Sequence, residues 1–460
     1  MSIKPRKALV VAGGLAVLAV GGFAVSRTEW FRNQFAKDSI NPSEMDRLSR
    51  APLIGSPPAP ASAGWPQWLG PTRDARAPDG PFRADWDKTP PKELWNVPCG
   101  AGYSSIAVAE GKLYTLDKKG GKERVRCLDA ADGKELWKYE YAAGQAGADA
   151  NYGSGPRATP SVDGNRVYTV GGAGKLLCLE APPAAGGKPR VLWEHDLLSE
   201  FNAPMPQWGV ACSPLVDGDQ VIVIPGGKNG AVAAFDKMSG GRRWAFGANP
   251  PGYSSPTAAT VHGVRMIFAF TGDALLCLRP DGQLMGSYAW ATPNKGNIAT
   301  PLVIDDYVFL SSGYNTGCAL LRIVPNGSSA VSLELVYARR VKPLRAHHAT
   351  PVHKNGYLFG YDDTRGELKC FDLRTGNAVE GWSADGLVDK GSIILAADKY
   401  LVLLSERGDL SVAEASAVQF DLIWKVKKVL NGRNTWAQPV LVDGRLYLRD
   451  DEKIVCLDVK

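Results

Sequence analysis

The 460-residue chain, 45% hydrophobic and 22% charged, has the composition of a globular protein with an extensive core. Its 51 glycines and 32 prolines favour many turns over long helices. The formal net charge of +6 is spread along the sequence and not gathered into basic runs, which argues against a nucleic-acid partner.

Residues 1–27 form a segment of their own. Lys4, Arg6 and Lys7 precede an uncharged apolar run that begins at Ala8 and is ended by Arg27. As a helix this run reaches about 27 Å at ~1.5 Å per residue, slightly under the ~30 Å of a bilayer's hydrocarbon core. It reads either as a membrane anchor or as a cleaved export signal, with Ala24-Val25-Ser26 a weak match to a small-residue cleavage site. Both readings place the rest of the chain in the cell envelope on the periplasmic face, anchored to the cytoplasmic membrane or secreted. Residues 28–64 lose hydrophobic periodicity and close on Pro57-Pro58-Ala59-Pro60, the composition of a flexible linker. Residues 65–91 open with Trp65-Pro66-Gln67-Trp68-Leu69-Gly70-Pro71 and are expected to pack on the domain that follows.

From residue 92 the sequence is repetitive. The fullest copy spans 158–193: a short strand, an Asp163-Gly164-Asn165 turn, a returning strand from Arg166, a Gly-rich turn, a third strand through Cys178 and a fourth carrying Trp193. Seven starts align as Ser104-Ser105-Ile106, Ala158-Thr159-Pro160, Cys212-Ser213-Pro214, Ser254-Ser255-Pro256, Ala299-Thr300-Pro301, Ala349-Thr350-Pro351 and Gly391-Ser392-Ile393, and Ala437-Gln438-Pro439 begins an eighth. Successive starts lie 42 to 54 residues apart, in or just above the range of a four-stranded propeller blade. A fourth-strand aromatic recurs as Trp137, Trp193, Trp244, Trp290, Tyr337, Trp382 and Trp424. The eighth copy ends after three strands, and the orphan strand around Trp95 supplies the fourth. The prediction is an all-β, eight-bladed β-propeller over 92–460, each blade a four-stranded antiparallel sheet and the last closed by an N-terminal strand.

Five of the eight cysteines, Cys127, Cys178, Cys277, Cys370 and Cys456, fall in one third-strand slot where Ala234, Leu321 and Val412 stand in other copies. The slot calls for a small hydrophobe. Facing sheets are ~10 Å apart and a disulfide needs Cα atoms within ~7 Å, so these five are not expected to bridge one another. Cys99, Cys212 and Cys318 show no metal-ligand spacing.

The segment Cys127-Leu128-Asp129-Ala130-Ala131-Asp132-Gly133-Lys134-Glu135-Leu136-Trp137, with Cys370-Phe371-Asp372-Leu373-Arg374-Thr375-Gly376, resembles the repeat of pyrroloquinoline-quinone-like (PQQ-like) propellers, of the quinoprotein alcohol dehydrogenase-like superfamily. The resemblance covers 92–460. The segment from Trp65 to Pro71 is similar to a lead-in motif of bacterial PQQ-like repeat proteins. The family implies one of two roles: a cofactor-free binding or scaffolding propeller, as in the lipoprotein of the outer-membrane barrel assembly machinery, or a PQQ- and calcium-dependent alcohol or sugar dehydrogenase. The dehydrogenases carry a vicinal cysteine pair, and here no two cysteines are adjacent.

Propeller geometry directs attention to the residues just before each first strand, which ring one mouth of the central channel. They are Tyr103, Arg157, Gln207 with Trp208, Tyr253, Asn294 with Lys295 and Asn297, Arg345 with His347 and His348, Lys390, and Asn434 with Trp436. The ring reads as basic and aromatic, suited to an anion, a carboxylate-bearing ligand or an acidic peptide. For Arg157 and Arg345 an internal salt bridge competes with ligand binding. His347 and His348, as strand neighbours, would point to opposite faces and not share a metal. Asp362-Asp363 and Asp450-Asp451 read as solvated turn acids. No nucleophile motif or metal cluster emerges. The sequence therefore favours a non-enzymatic propeller without cofactor that binds a protein or a small anionic ligand, with the dehydrogenase as the alternative.

Overall fold

The computed structural model describes residues 38–50, 64–77, 80–147, 155–182, 186–327, 329–340, 344–363, 366–384, 390–432 and 434–460. Eight antiparallel sheets stand in sequence order as the blades of a propeller. Blades 1 to 7 cover residues 107–142, 161–196, 215–246, 257–289, 302–339, 352–378 and 391–426. Blade 8 joins residues 440–458 to Lys92–Pro98, whose Trp95 pairs with Cys456. Several inner hairpins turn on two consecutive residues at positive φ, as at Asn355-Gly356 and Asp443-Gly444, the backbone twist that a two-residue hairpin demands. The hydrophobic run of residues 1–27 lies outside the described residues, and among the described residues no helix is long and apolar enough to cross a membrane.

The repeated aromatic explains how neighbouring blades adhere. In seven blades the pairing of third and fourth strands shifts by one residue, and in most of them the shift falls beside this aromatic, as between Val191 and Trp193. Such a bulge re-aims the side chain sideways. The indole N–H of Trp193 donates to Lys237 O of blade 3 at 3.3 Å, Trp244 to Pro280 O at 2.9 Å, Trp382 to Ser416 O at 2.8 Å, and Tyr337 Oη to Leu373 O at 2.8 Å. At these four seams the ring packs on the next blade and its one polar atom is satisfied there. Gly240, at φ +77, lies so close to Trp193 that a Cβ would stand 2.5 Å from the ring, so the glycine of the Asp-x-x-x-Gly turn is required by the ring beneath it. Cys127, Cys178 and Cys456 each pair in register with a seam tryptophan on one side and a tyrosine on the other. All eight cysteines are free.

Two assignments of that aromatic shift. Trp290 stands beyond its strand, Leu284–Ala289, and Gly286 pairs with Cys277 in its place. The long hairpin of blade 5 fills the space, since a Cβ on Gly286 would lie 2.5 Å from Val331 O. Trp382 lies past the two-residue fourth strand Asn377–Ala378, yet still makes its seam contact.

The ring closes between blades 8 and 1. Trp95 Nε1 and Tyr447 Oη both donate to Ala130 O, at 3.3 and 3.1 Å. Beside them Arg449, 0% exposed, donates to Thr115 Oγ1 and Leu116 O, each at 2.7 Å. Around the channel the middle residues of the repeated triplets form a belt of hydroxyls. The amide of Ser105 donates to Thr159 Oγ1 at 3.1 Å, that of Thr159 to Ser213 Oγ at 2.9 Å, that of Ser213 to Ser255 Oγ at 2.9 Å, and that of Thr300 to Thr350 Oγ1 at 3.0 Å.

The lead-in segment packs across the end of the channel opposite the ringed mouth. Trp65 bridges to Val108 of blade 1, Pro66 O accepts from Val162 N, Arg73 donates to Ser213 O and Pro214 O, and Ala75 and Ala77 hydrogen-bond with Leu395 of blade 7. Arg73 is buried, and desolvation lowers its pKa to about 10. Trp86 meets Trp424 of blade 7 edge-on at 5.1 Å. Part of the stretch expected to be linker is ordered. Ser39–Ile40 adds a fifth strand to blade 5, and the helix Pro42–Arg50 buries Leu48 against it, with Glu44 and Arg47 paired to Arg322 and Asp306. Its charged surface gave no apolar period to read.

Trp95→Ala, which removes a side chain only 8% exposed at the closing seam, is expected to cost about 3–5 kcal/mol in urea unfolding. Leu94→Ala, at a side chain 36% exposed, is expected to cost under about 1 kcal/mol.

Candidate functional site

The channel mouth opens into a cavity of about 640 Å³. Its floor includes Trp68 of the lead-in segment, whose Nε1 donates to Thr300 Oγ1 at 3.0 Å, together with the belt hydroxyls of Ser213 and Ser255. The channel is thus a cul-de-sac. Of the ring positions read from the sequence, Arg157, Gln207, Trp208, Tyr253, His347, Lys390, Asn434 and Trp436 line it, as do Tyr103, Asn294 and His348.

Three others are elsewhere. Asn297 is fully buried and holds the backbone, donating to Thr271 O and Trp290 O at 2.7 and 3.0 Å. Arg345 pairs with Asp362, whose side chain is 1% exposed, at 3.2 Å: the internal salt bridge of the two readings. Lys295 is exposed on the turn Pro293–Lys295 and is not part of the lining.

The walls carry a chain of aromatic rings. Tyr103 packs on Trp436 with centroids 4.8 Å apart, Trp436 stacks on His348 at 4.1 Å, and His348 stacks on His347 at 3.9 Å. His347 meets Tyr314 edge-on at 4.7 Å, Tyr314 lies parallel to Trp208 at 6.0 Å, and Trp208 packs on Tyr253 at 5.2 Å. Arg157 sits 5.2 Å from the centroid of the Tyr103 ring. Burial lowers the pKa of its guanidinium, an effect that Tyr103 and Tyr253 oppose. The two histidines therefore lie side by side and do not diverge, because they occupy a bend before the first strand of blade 6 and not the strand itself.

The second-to-third-strand hairpins contribute residues that the alignment of first strands did not include: Tyr314, Asp363 and Glu406. Asp363 Oδ1 lies 2.8 Å from His347 Nδ1 and 3.1 Å from Lys390 Nζ, and Oδ2 accepts from Tyr314 N at 2.9 Å. Burial raises the Asp363 pKa, but the hydrogen bond and charge of His347, the Tyr314 amide and Lys390 outweigh it and hold the carboxyl well below its usual range. Glu406 Oε2 accepts from Trp436 Nε1 at 3.2 Å. The pairs expected to be solvated turn acids are thus partly structural: Asp362 is buried under Arg345, and Asp450, 2% exposed, accepts from the amides of Asn431, Gly432, Glu452 and Lys453. The ring is also less basic than its first-strand residues imply, since Asp363 pairs with Lys390 and Glu406 lines the cavity with Arg157.

His348 is held neutral, its pKa driven well below 6.5 by burial and then by His347 and Lys390. His347 Nε2 and His348 Nδ1 are buried and, among the described residues, have no hydrogen-bond partner. Among the described residues no group of three His, Cys, Asp or Glu side chains is placed to hold a metal ion.

A family model described as PQQ_2, outer membrane protein assembly factor BamB, matches residues 83–148 and 121–384, well over half of the 460-residue chain. The chain belongs to this family. A family relative, the outer membrane protein assembly factor BamB of Moranella endobia (strain PCIT), is 21% identical over 345 residues, covering 70% of this chain and 79% of the relative. The quinohemoprotein alcohol dehydrogenase ADH IIB of Pseudomonas putida is 27% identical over 141 residues, 30% of this chain and 19% of that enzyme. Among solved structures, BamB from Moraxella catarrhalis superposes with a TM-score of 0.54 at 15% identity, covering 80% of this chain and 98% of that one. The quinohemoprotein alcohol dehydrogenase from Comamonas testosteroni does so at 0.59 and 13% identity, covering 90% and 82%. At such identities the structural likeness carries the fold alone.

Buried groups at the mouth and, for His353, beside Arg76 of the lead-in segment give a pH dependence with two windows. Buried His353, like His348, has a lowered pKa, in its case about 4, set by burial and then Arg76. An unfolded histidine takes up its proton near pH 6.5, so both groups contribute stability that is present above that value and lost as pH falls below it, for His353 through about 4. Asp363, with its pKa depressed, contributes stability above about pH 3.9 that is lost as pH falls further. Urea unfolding measured from pH 7 to pH 3 is expected to show both limbs. His353→Gln should flatten the first by up to about 1.4 kcal/mol per pH unit, and Asp363→Asn should lower stability at pH 7 and flatten the second.

Proposed function

We propose that this chain is a non-enzymatic binding propeller of the cell envelope, which takes a ligand or a segment of a partner protein into the mouth cavity. The observation that carries this reading is the cul-de-sac itself. Trp68 stands at the floor and aromatic rings line the wall of a cavity of about 640 Å³. The names of its relatives support a role alongside envelope proteins, and the apolar run that begins at Ala8 supports export or anchoring.

The dehydrogenase reading has weaker support. Calcium takes six to eight oxygen ligands, whereas the two carboxylates at the cavity are engaged, Asp363 by His347 and Lys390 and Glu406 by Trp436. The eight cysteines are free and none is adjacent to another. A calcium-bound quinone does not fit this donor set, and no reaction step is assigned to it.

Benzophenone photo-crosslinkers placed at the exposed rim residues Gln207 and Asn294 insert into C–H bonds of whatever occupies the mouth. In intact cells both positions are expected to give a discrete adduct, while the same probe at exposed Met238, in a turn at the opposite end of its blade, gives none. Equal labelling at rim and control, or no rim adduct, would reject a binding mouth.

A further inference from the structure

Among the described residues, blade 5 alone carries a fifth strand. Its four repeat strands are complete without it, and the last two, Gly317–Asn326 and Ala330–Arg339, run to ten residues each. The fifth strand, Ser39–Ile40, comes from outside the repeats and lies on the outer edge of the blade. None of the residues that hold it lines the mouth cavity.

Residues 38–50 are built as a unit of their own. Ser39 and Ile40 are extended, and Asn41 caps the helix that follows, its Oδ1 accepting from Glu44 N at 3.4 Å and from Ser43 Oγ at 2.8 Å. Pro42 fits the first helical position, where no N–H is needed. Nine residues make too short a helix to persist in water alone, so the unit is either docked or unfolded.

Its contacts are those of a bound peptide. Ser39 pairs with Ala338, Ile40 with Tyr337, and Asn41 N donates to Val336 O at 2.8 Å. Two acids anchor it to the blade: Asp38 accepts from Arg340 N at 2.7 Å and lies 3.7 Å from the Arg339 guanidinium, and Glu44 lies 3.1 Å from that of Arg322. One apolar side chain is fully inserted. Leu48 is 0% exposed, in the cluster that joins Tyr337 of blade 5 to Leu358 and Phe371 of blade 6. Ile40, on the strand itself, is 51% exposed to solvent. Strand addition of this kind takes affinity from main-chain bonds and specificity from side-chain pockets. With two residue pairs made and the ion pairs partly exposed, Leu48 is the principal anchor.

We propose that the outer edge of blade 5 and the seam beside it form a peptide-docking groove, of which residues 38–50 are the resident ligand, a detachable clasp. The groove takes an acid, two extended residues, and a short helix with a glutamate in its first turn and a leucine one turn later. The partner it fits is a segment of another protein with that pattern, docked in the clasp's place. This site is separate from the mouth and does not depend on what the mouth binds.

Hydrogen exchange on the full chain reads the clasp, and titration reads the groove. Glu44→Lys/Leu48→Ala alters the clasp and leaves every blade residue in place. In it the amides of residues 39–48 are expected to exchange about tenfold faster or more, with the inner strands of blade 5 unchanged. A labelled synthetic peptide of residues 36–52 should bind this variant saturably, and the same peptide carrying Glu44→Lys and Leu48→Ala should bind about tenfold more weakly or worse. Adding Arg322→Glu on the groove side should weaken the wild-type peptide, and a peptide with Glu44→Arg should recover against it, a rescue that a merely structural role would not give. Unchanged exchange at 39–48, or loss of protection throughout blade 5, would make the segment a fixed part of the propeller and overturn the proposal. An open clasp with no peptide binding overturns it too, as does equal binding of an acidic hexapeptide, Asp-Glu repeated, which would reduce the groove to a charged surface.

Discussion

The fold depends on one repeated contact, an aromatic side chain turned sideways at a bulge so that its ring lies beneath the next blade and its N–H or O–H reaches a carbonyl there. A four-stranded sheet with two apolar faces has no stable life alone, and this contact covers one blade with the next. It also dictates neighbouring sequence. The glycine of the adjacent turn has no Cβ because the ring occupies that space, and the residue pairing with the seam aromatic is apolar: cysteine in three blades, Ala234 and Val412 in two others, and in blade 5 Leu320, one residue before the Leu321 expected there. The chain spends its free thiols as packing atoms, which is why eight cysteines yield no disulfide.

Repetition alone would give an open-ended channel. The lead-in segment alters that, because Trp65, Arg73, Ala75 and Ala77 fasten it to blades 1, 3 and 7 while Trp68 reaches the cavity floor. The segment does two physical jobs. It ties distant blades together across the axis, where seam contacts act only between neighbours, and it makes one end of the channel a pocket that can desolvate a ligand. Because Arg73 is buried and donates to Pro214 O and Ser213 O, the segment is fixed in register and is not merely laid against the surface.

What the sequence revealed follows the same division. Blade number, the composite eighth blade and the third-strand cysteine slot were legible because each recurs at a regular spacing. The belt of hydroxyls was also present in the aligned triplets, but only the fold shows that those of Thr159, Ser213, Ser255 and Thr350 each receive the amide of the preceding blade. Trp290 was misplaced because an aromatic at the expected spacing mimics the seam residue, while strand register puts Gly286 there. The docked helix Pro42–Arg50 was illegible for the opposite reason: it is held largely by ion pairs to blade 5, which leave no period in the sequence.

The mouth was half legible. Loops from two places in each blade meet there, the connection before the first strand and the hairpin between the second and third. Reading only the first set gave Arg157, His347 and Lys390 and hence a basic ring. The second set supplies Asp363 and Glu406 and cancels the charge. The consequence reaches past bookkeeping of sign. Lys390 Nζ lies 2.8 Å from His347 Nδ1 and 3.1 Å from Asp363 Oδ1, so cation, carboxylate and imidazole hold one another in a fixed cluster. The charge of such a mouth can be read only when both sets of loops are taken together.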